Sequence, residues 1–169
     1  VQLEKMVFGF IPKSSPFLFD LSLNYRLLDI IRSYSEHKPV LVFCSTQKST
    51  MKTTEELGRA SDFREFVKDD FHLQRLVHMS NIVVNQELKN SIINGIGFHH
   101  GGLDYADRNL VESAFKNGDL AVLCTTTTLC VGVNLPAFMV VIKGTYSYRG
   151  KSNRNNTNNG YGDLTSSEL

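Results

Sequence analysis

The chain reads as an α/β domain organised around a parallel β-sheet. Near-continuous apolar runs recur along it, separated by segments whose apolar residues return at helical spacing. Strands alternating with helices imply βαβ units, and apolar runs without alternation fit central parallel strands covered on both faces. The 169 residues suffice for one domain with its own core, read as 1–149, followed by a tail over 150–169.

Taken in order, Met6–Phe10 is a candidate edge strand. Leu23–Tyr34 places Leu23, Leu27, Leu28, Ile30, Ile31 and Tyr34 at helical spacing, and Val40–Cys44 is the first buried strand. Lys48–Ala60, Phe71–Met79 and Glu87–Asn94 are helical segments before a second strand at Ile96–His99. Ala106–Asn117 carries Leu110, Val111, Ala114 and Phe115 at helix spacing, with Asp104 as its expected N-cap and Asn117-Gly118-Asp119 as its stop. Leu120–Cys124 and Met139–Ile142 complete the strands. Beyond Gly150, five of the seven residues from Asn153 to Asn159 are Asn, so the tail is read as a flexible loop that buries too little surface to order.

Composition narrows the function classes. A hydrophobic share of 41% and a charged share of 21% are those of an ordinary soluble domain. The net charge of +1 is low for a free-standing DNA-binding module, so any contact with nucleic acid would use backbone amides and hydroxyls, or borrow charge from a partner domain. Cys44, Cys124 and Cys130 are odd in number and form no C-x-x-C pair, which argues against a disulfide framework and for a reducing compartment. No apolar run reaches the length of about 18 residues that a membrane span needs, so no membrane partner is expected. No signal peptide is evident, and Val1 in the first position is expected of a piece of a longer protein.

In an open parallel sheet, ligands bind beyond the carboxyl ends of the strands. Three strands here lead into turns that suit an anion: Cys44-Ser45-Thr46-Gln47, His99-His100-Gly101-Gly102, and Thr125–Thr128 running on to Gly132-Val133-Asn134-Leu135-Pro136. Ser45 or Thr46 would open a helix whose free amides favour a phosphate, and Gly101-Gly102 lets backbone approach a ligand closely. Each feature also has a plain structural reading: Ser and Thr as helix caps, the His pair as a satisfied core pair, the Thr run as β propensity. Their joint placement on one rim favours the functional reading.

Other chemistries fit less well. The chain has no G-x-x-x-x-G-K-[ST] phosphate loop and no G-x-S-x-G elbow. A cysteine phosphatase built on Cys44 would want an Arg near position 50, which is Thr. Cys44, Cys124 and His99 lack the close ligand pairs typical of zinc sites, and buried small hydrophobes are the simpler role for the cysteines.

These segments resemble known motifs. Lys38–Thr46 is similar to helicase motif IV. His99–Leu103, with Asp107, Arg108 and Phe115, is similar to the segment before motif V, and Thr126–Ala137 followed by Val140–Thr145 to motif V of the Ski-like superfamily 2 helicases. The similarity covers about residues 6 to 148 in order and spacing. Phe17-x-Phe19-Asp20, Leu23-Asn24-Tyr25 and Lys38-Pro39 look most like the meiotic crossover-promoting DNA helicases; the splicing and RNA-surveillance members are close rivals.

The resemblance implies a RecA-like (P-loop NTPase-type) helicase C-terminal domain without its own Walker A. It implies that Ser45, Thr46, His100, Gly101, Thr126 and Thr127 contact nucleic acid, and that Gly132 and Asn134 face ATP across an interdomain cleft. Arg108 is implied to orient its helix. ATP and Mg2+ would be held mainly by a first RecA-like lobe, and motif VI with its arginine finger is expected just after Leu169. The resemblance thus implies a 3′–5′ DNA helicase in the nucleus, acting on single-stranded or branched DNA, of which this chain alone is inactive. An RNA helicase of the same family and a non-catalytic RecA-like interaction module are the alternatives.

Overall fold

The first helix, α1 (Pro16–Tyr34), begins where Ser15 accepts the N–H of Leu18 on its side chain and Pro16 occupies the first turn. It starts seven residues before the apolar periodicity does, because the cap and not the stripe sets its beginning. The computed structural model describes residues 3–62, 64–126 and 135–144, together with the backbone of two short strands at Tyr146–Tyr148 and Tyr161–Asp163. Along α1, Leu23, Leu27, Leu28 and Ile31 are buried.

The elements that follow are β1 (Val40–Cys44), α2 (Gln47–Ala60), α3 (Asp70–Ile82), α4 (Gln86–Ile92), β2 (Ile96–His99), α5 (Tyr105–Lys116), β3 (Val122–Thr126) and β4 (Met139–Ile142). Side chains of Thr46, Asp69 and Asn85 cap α2, α3 and α4 by accepting the N–H groups of Ser49, His72 and Leu88. Asp104 precedes α5 without a side-chain cap bond, whereas Gly118 ends that helix at φ +74° and donates to Phe115 O. The buried Asp107 carboxylate accepts the N–H of Val84 at 3.0 Å and of Asn85 at 2.9 Å, tying α5 to the start of α4.

The four strands form one parallel sheet in the order β2-β3-β1-β4, which bears out the α/β, parallel-sheet expectation. Its core gathers Val40, Val42, Ile96, Phe98, Val122 and Leu123 against Leu27, Ile31, Leu57, Val111 and Phe115. Gly97 permits the close packing on β2: a Cβ there would lie 2.8 Å from Leu120 Cδ1.

Three expectations are corrected. Residues 3–12 adopt no regular structure and Met6–Phe10 pairs with no strand among the described residues; Met6, Val7 and Phe8 are exposed, and Phe8 meets the ring of Tyr34 at 5.8 Å. An apolar run becomes a strand only where a ladder partner exists. The third strand starts at Val122, not Leu120, because Ala121 and Val122 donate to Gly95 O before the ladder begins, so Thr125 and Thr126 are buried strand residues and not a turn. Finally, β4 is an edge: among the described residues it pairs with β1 alone, and Val140 and Ile142 alternate outward while Met139 and Val141 pack inward.

A two-stranded antiparallel sheet joins Tyr146–Tyr148 (β5) and Tyr161–Asp163 (β6). Apart from β6, the tail over 150–169, expected to be flexible, lies outside the described residues.

Candidate nucleic-acid interface

Because the strands run parallel, the carboxyl ends of β1, β2 and β3 share one rim of the sheet. Register places Cys44 opposite Thr126, Phe43 opposite Thr125, and His99 on the other side of Thr125. The turns themselves meet: a Cβ at Gly102 would come within 2.7 Å of Gln47 Oε1, so the loop after β2 abuts the first residue of α2. Ser45, Thr46, His100, Gly101 and Thr126 are thereby brought to one rim. Thr127, Gly132 and Asn134 fall outside the described residues, as does Cys130.

Thr46 is half-buried and its Oγ1 accepts the Ser49 N–H at 3.0 Å. The cap reading is therefore correct for Thr46, yet it consumes only a lone pair; the hydroxyl hydrogen remains a donor. Ser45 is half-buried beside it, and Thr126 is buried at the very end of β3.

On the second turn, His100 is buried, stacks on Phe98 with centroids 5.5 Å apart, and accepts the Gly102 N–H on Nδ1 at 3.1 Å. His99 Nε2 lies 2.8 Å from Glu112 Oε1 on α5. Burial lowers both histidines below their usual value; the Glu112 hydrogen bond opposes this at His99, and His99 adds to it at His100. His99 Nδ1, His100 Nε2 and Arg108 Nε are buried without a hydrogen-bond partner among the described residues. Gly101 is exposed, and a Cβ there would meet nothing within 4 Å.

The two described cysteines lie away from the solvent side of this rim. Cys44 Sγ is 3.7 Å from Thr53 Oγ1 on α2. A hydrogen bond to Cys44, reinforced by burial, raises the Cys124 thiol well above its usual value, so it is held protonated. Among the described residues no group of three or more His, Cys, Asp or Glu is arranged to hold a metal.

Sequence reasoning missed one buried group. Lys143, just past β4, donates from Nζ to Asp20 Oδ2 at 2.9 Å, Thr53 Oγ1 at 2.8 Å and Ser49 Oγ at 3.2 Å. Its only sequence signal was a cation directly after an apolar strand, which is no indication of burial.

The profile of the helicase conserved C-terminal domain matches residues 23–157, spanning both the sheet and this rim. The chain belongs to that family. This helicase C-terminal domain is similar to the probable ATP-dependent DNA helicase HFM1 of Mus musculus, 43% identical over 152 residues, covering 89% of the chain and 10% of that protein. It is 40% identical over 152 residues to the ATP-dependent DNA helicase homolog MER3 of Arabidopsis thaliana (88% of the chain, 13% of the relative). A DExH-box ATP-dependent RNA helicase, DExH14 of Arabidopsis thaliana, is 37% identical over 141 residues (79% and 6%). The chain spans about a tenth of the length of these DNA-helicase relatives.

Within the helicase C-terminal domain, the expected RecA-like α/β architecture is the one observed, and the likeness to the meiotic DNA helicases agrees with the residues that suggested it. No helix among the described residues is long and apolar enough to cross a membrane.

Proposed function

We propose that this domain is the second motor lobe of an ATP-dependent 3′–5′ DNA helicase acting in meiotic recombination in the nucleus. Its carboxyl rim would grip successive phosphates of a single strand while the lobe closes over ATP held by a first RecA-like lobe. The observation that carries the reading is the convergence of the Ser45–Thr46, His100–Gly101 and Thr126 segments on one rim of a helicase C-terminal domain.

A grip of this kind works through hydroxyl and amide donors, so it is independent of base sequence and weakens with salt. Thr46 retains its hydroxyl hydrogen for such a contact, and the exposed Gly101 leaves room for a phosphate to approach the backbone. Gly132 and Asn134 are proposed to face the nucleotide. Beside this rim, the carboxylates of Asp20 and Glu112 are engaged by Lys143 and His99. Mg2+ is proposed to be held, with ATP, mainly by the other lobe.

Single-strand-stimulated ATP hydrolysis by the full-length protein tests the proposal, with Thr126→Ala and Asn134→Ala beside the parent. Stimulation by DNA, blunted in Thr126→Ala and with impaired nucleotide use in Asn134→Ala, supports it. No stimulation by DNA or RNA sinks the motor reading and leaves an interaction module. The likeness to an RNA helicase motivates a second reading, an RNA motor of the same family, which stronger stimulation by RNA than by DNA would favour.

A further inference from the structure

We infer that Lys143 is a positioning residue that sets the geometry of the strand-gripping rim without itself touching the strand. The inference rests on the nucleic-acid reading of that rim.

Lys143 is fixed at both ends. Its backbone N–H donates to Phe43 O at 3.0 Å, one residue before β1 ends and two before Ser45. Its side chain is 2% exposed and runs between α1 and α2. An ammonium has three hydrogens, and Nζ has three acceptors here: Asp20 Oδ2, Ser49 Oγ and Thr53 Oγ1. No donor is left over for a phosphate.

The acceptors lead back to the site. Ser49 Oγ donates to Asp20 Oδ2 at 2.7 Å, and the Ser49 backbone N–H is the one that Thr46 Oγ1 accepts. Thr53 Oγ1 donates in turn to Asn24 Oδ1 at 3.0 Å on α1. Lys143 therefore holds the first two turns of α2, and Thr46 at their head, in a fixed relation to the ends of β1 and β4.

A buried ion pair is weak evidence for stability, since well-packed apolar residues of similar volume often serve as well; fixing one arrangement is its better-attested use. Without the ammonium, α2 can shift along the sheet and carry Ser45 and Thr46 off the phosphate track.

The test titrates ATP hydrolysis by the full-length protein with an oligo-dT single strand, for the parent, Lys143→Met, Asp20→Asn and the double variant. For each single variant the DNA concentration giving half-maximal stimulation should rise by about tenfold, the scale of one lost charged hydrogen bond. KM for ATP should stay within about twofold, because the nucleotide side keeps its contacts. The double variant should be no worse than the weaker single, as expected for one shared network. The salt dependence of half-saturation should keep its slope, whereas a true phosphate ligand would lower it by about one.

Unchanged half-saturation in both variants overturns the inference, and so does a slope shallower by about one, which makes Lys143 a direct ligand. Should Lys143→Met not fold, half-saturation in Asp20→Asn, whose carboxylate is partly exposed, decides alone, and an unchanged value overturns the inference. A parent that single strands do not stimulate overturns the motor reading and this inference together. A stimulated parent with insensitive variants overturns this inference alone.

Discussion

Thr46 Oγ1 accepts the N–H of Ser49 at 3.0 Å, so the residue expected to contact a phosphate is also the N-cap of α2. A cap needs an acceptor, while a phosphate contact needs a donor, and one hydroxyl supplies both.

The two roles separate in Thr46→Asp. Aspartate caps as well as threonine and suits the positive end of the helix, so unfolding free energy should stay within about 0.5 kcal/mol of the parent in denaturant titrations. Its charge and lack of a donor should raise the DNA concentration for half-maximal ATPase stimulation by more than about tenfold. Thr46→Ala should instead cost about 1 kcal/mol of stability. Unchanged DNA half-saturation in Thr46→Asp would leave Thr46 as a cap alone.

Gly101 and Gly97 make a contrasting pair. A Cβ at Gly101 meets nothing within 4 Å, so Gly101→Ala should be nearly neutral for stability. If a phosphate approaches that backbone, the same methyl should still weaken DNA binding, measurable by fluorescence anisotropy with a labelled single strand. At Gly97 the Cβ would lie 2.8 Å from Leu120 Cδ1, which is fully buried. Gly97→Ala should cost about 1–3 kcal/mol in denaturant unfolding. Equal stability losses in the two variants would show that the loop after β2 is packed, not open.

The histidines of the second turn predict an acid weakness. Both are lowered by burial, so the unfolded chain binds protons first as pH falls. Their stabilising contribution is complete above the unfolded value of about 6.5 and is lost as pH drops towards the lower folded values. Thermal midpoints should therefore fall from pH 7 to pH 5.5. In His100→Asn, which keeps a side-chain acceptor for the Gly102 N–H, that fall should be smaller. A fall of the same size would remove His100 from the explanation.

Local and periodic features of this protein are determined by sequence alone. The spacing of Leu27, Leu28 and Ile31 makes a buried helix face, and the runs at Val40–Cys44 and Ile96–His99 make core strands wherever they pair. The start of α1 was missed, since the apolar stripe begins at Leu23 whereas the helix begins at the Ser15-Pro16 cap, which acts through neighbouring backbone. The turns at Ser45-Thr46 and His100-Gly101-Gly102 were legible in the local sequence, as was their meeting once the sheet was taken as parallel.

The tertiary structure decided what depends on partners far along the chain. Met6–Phe10 and Met139–Ile142 are both apolar, yet one has no ladder partner and the other has β1 on a single side. Register drew Thr125 and Thr126 into the ladder, because Val122 aligns with both Val40 and Ile96. Lys143 meets Asp20 across 123 residues. No periodicity encodes that contact: a buried cation is tolerable only where separate helices deliver its acceptors, and packing alone brings them there.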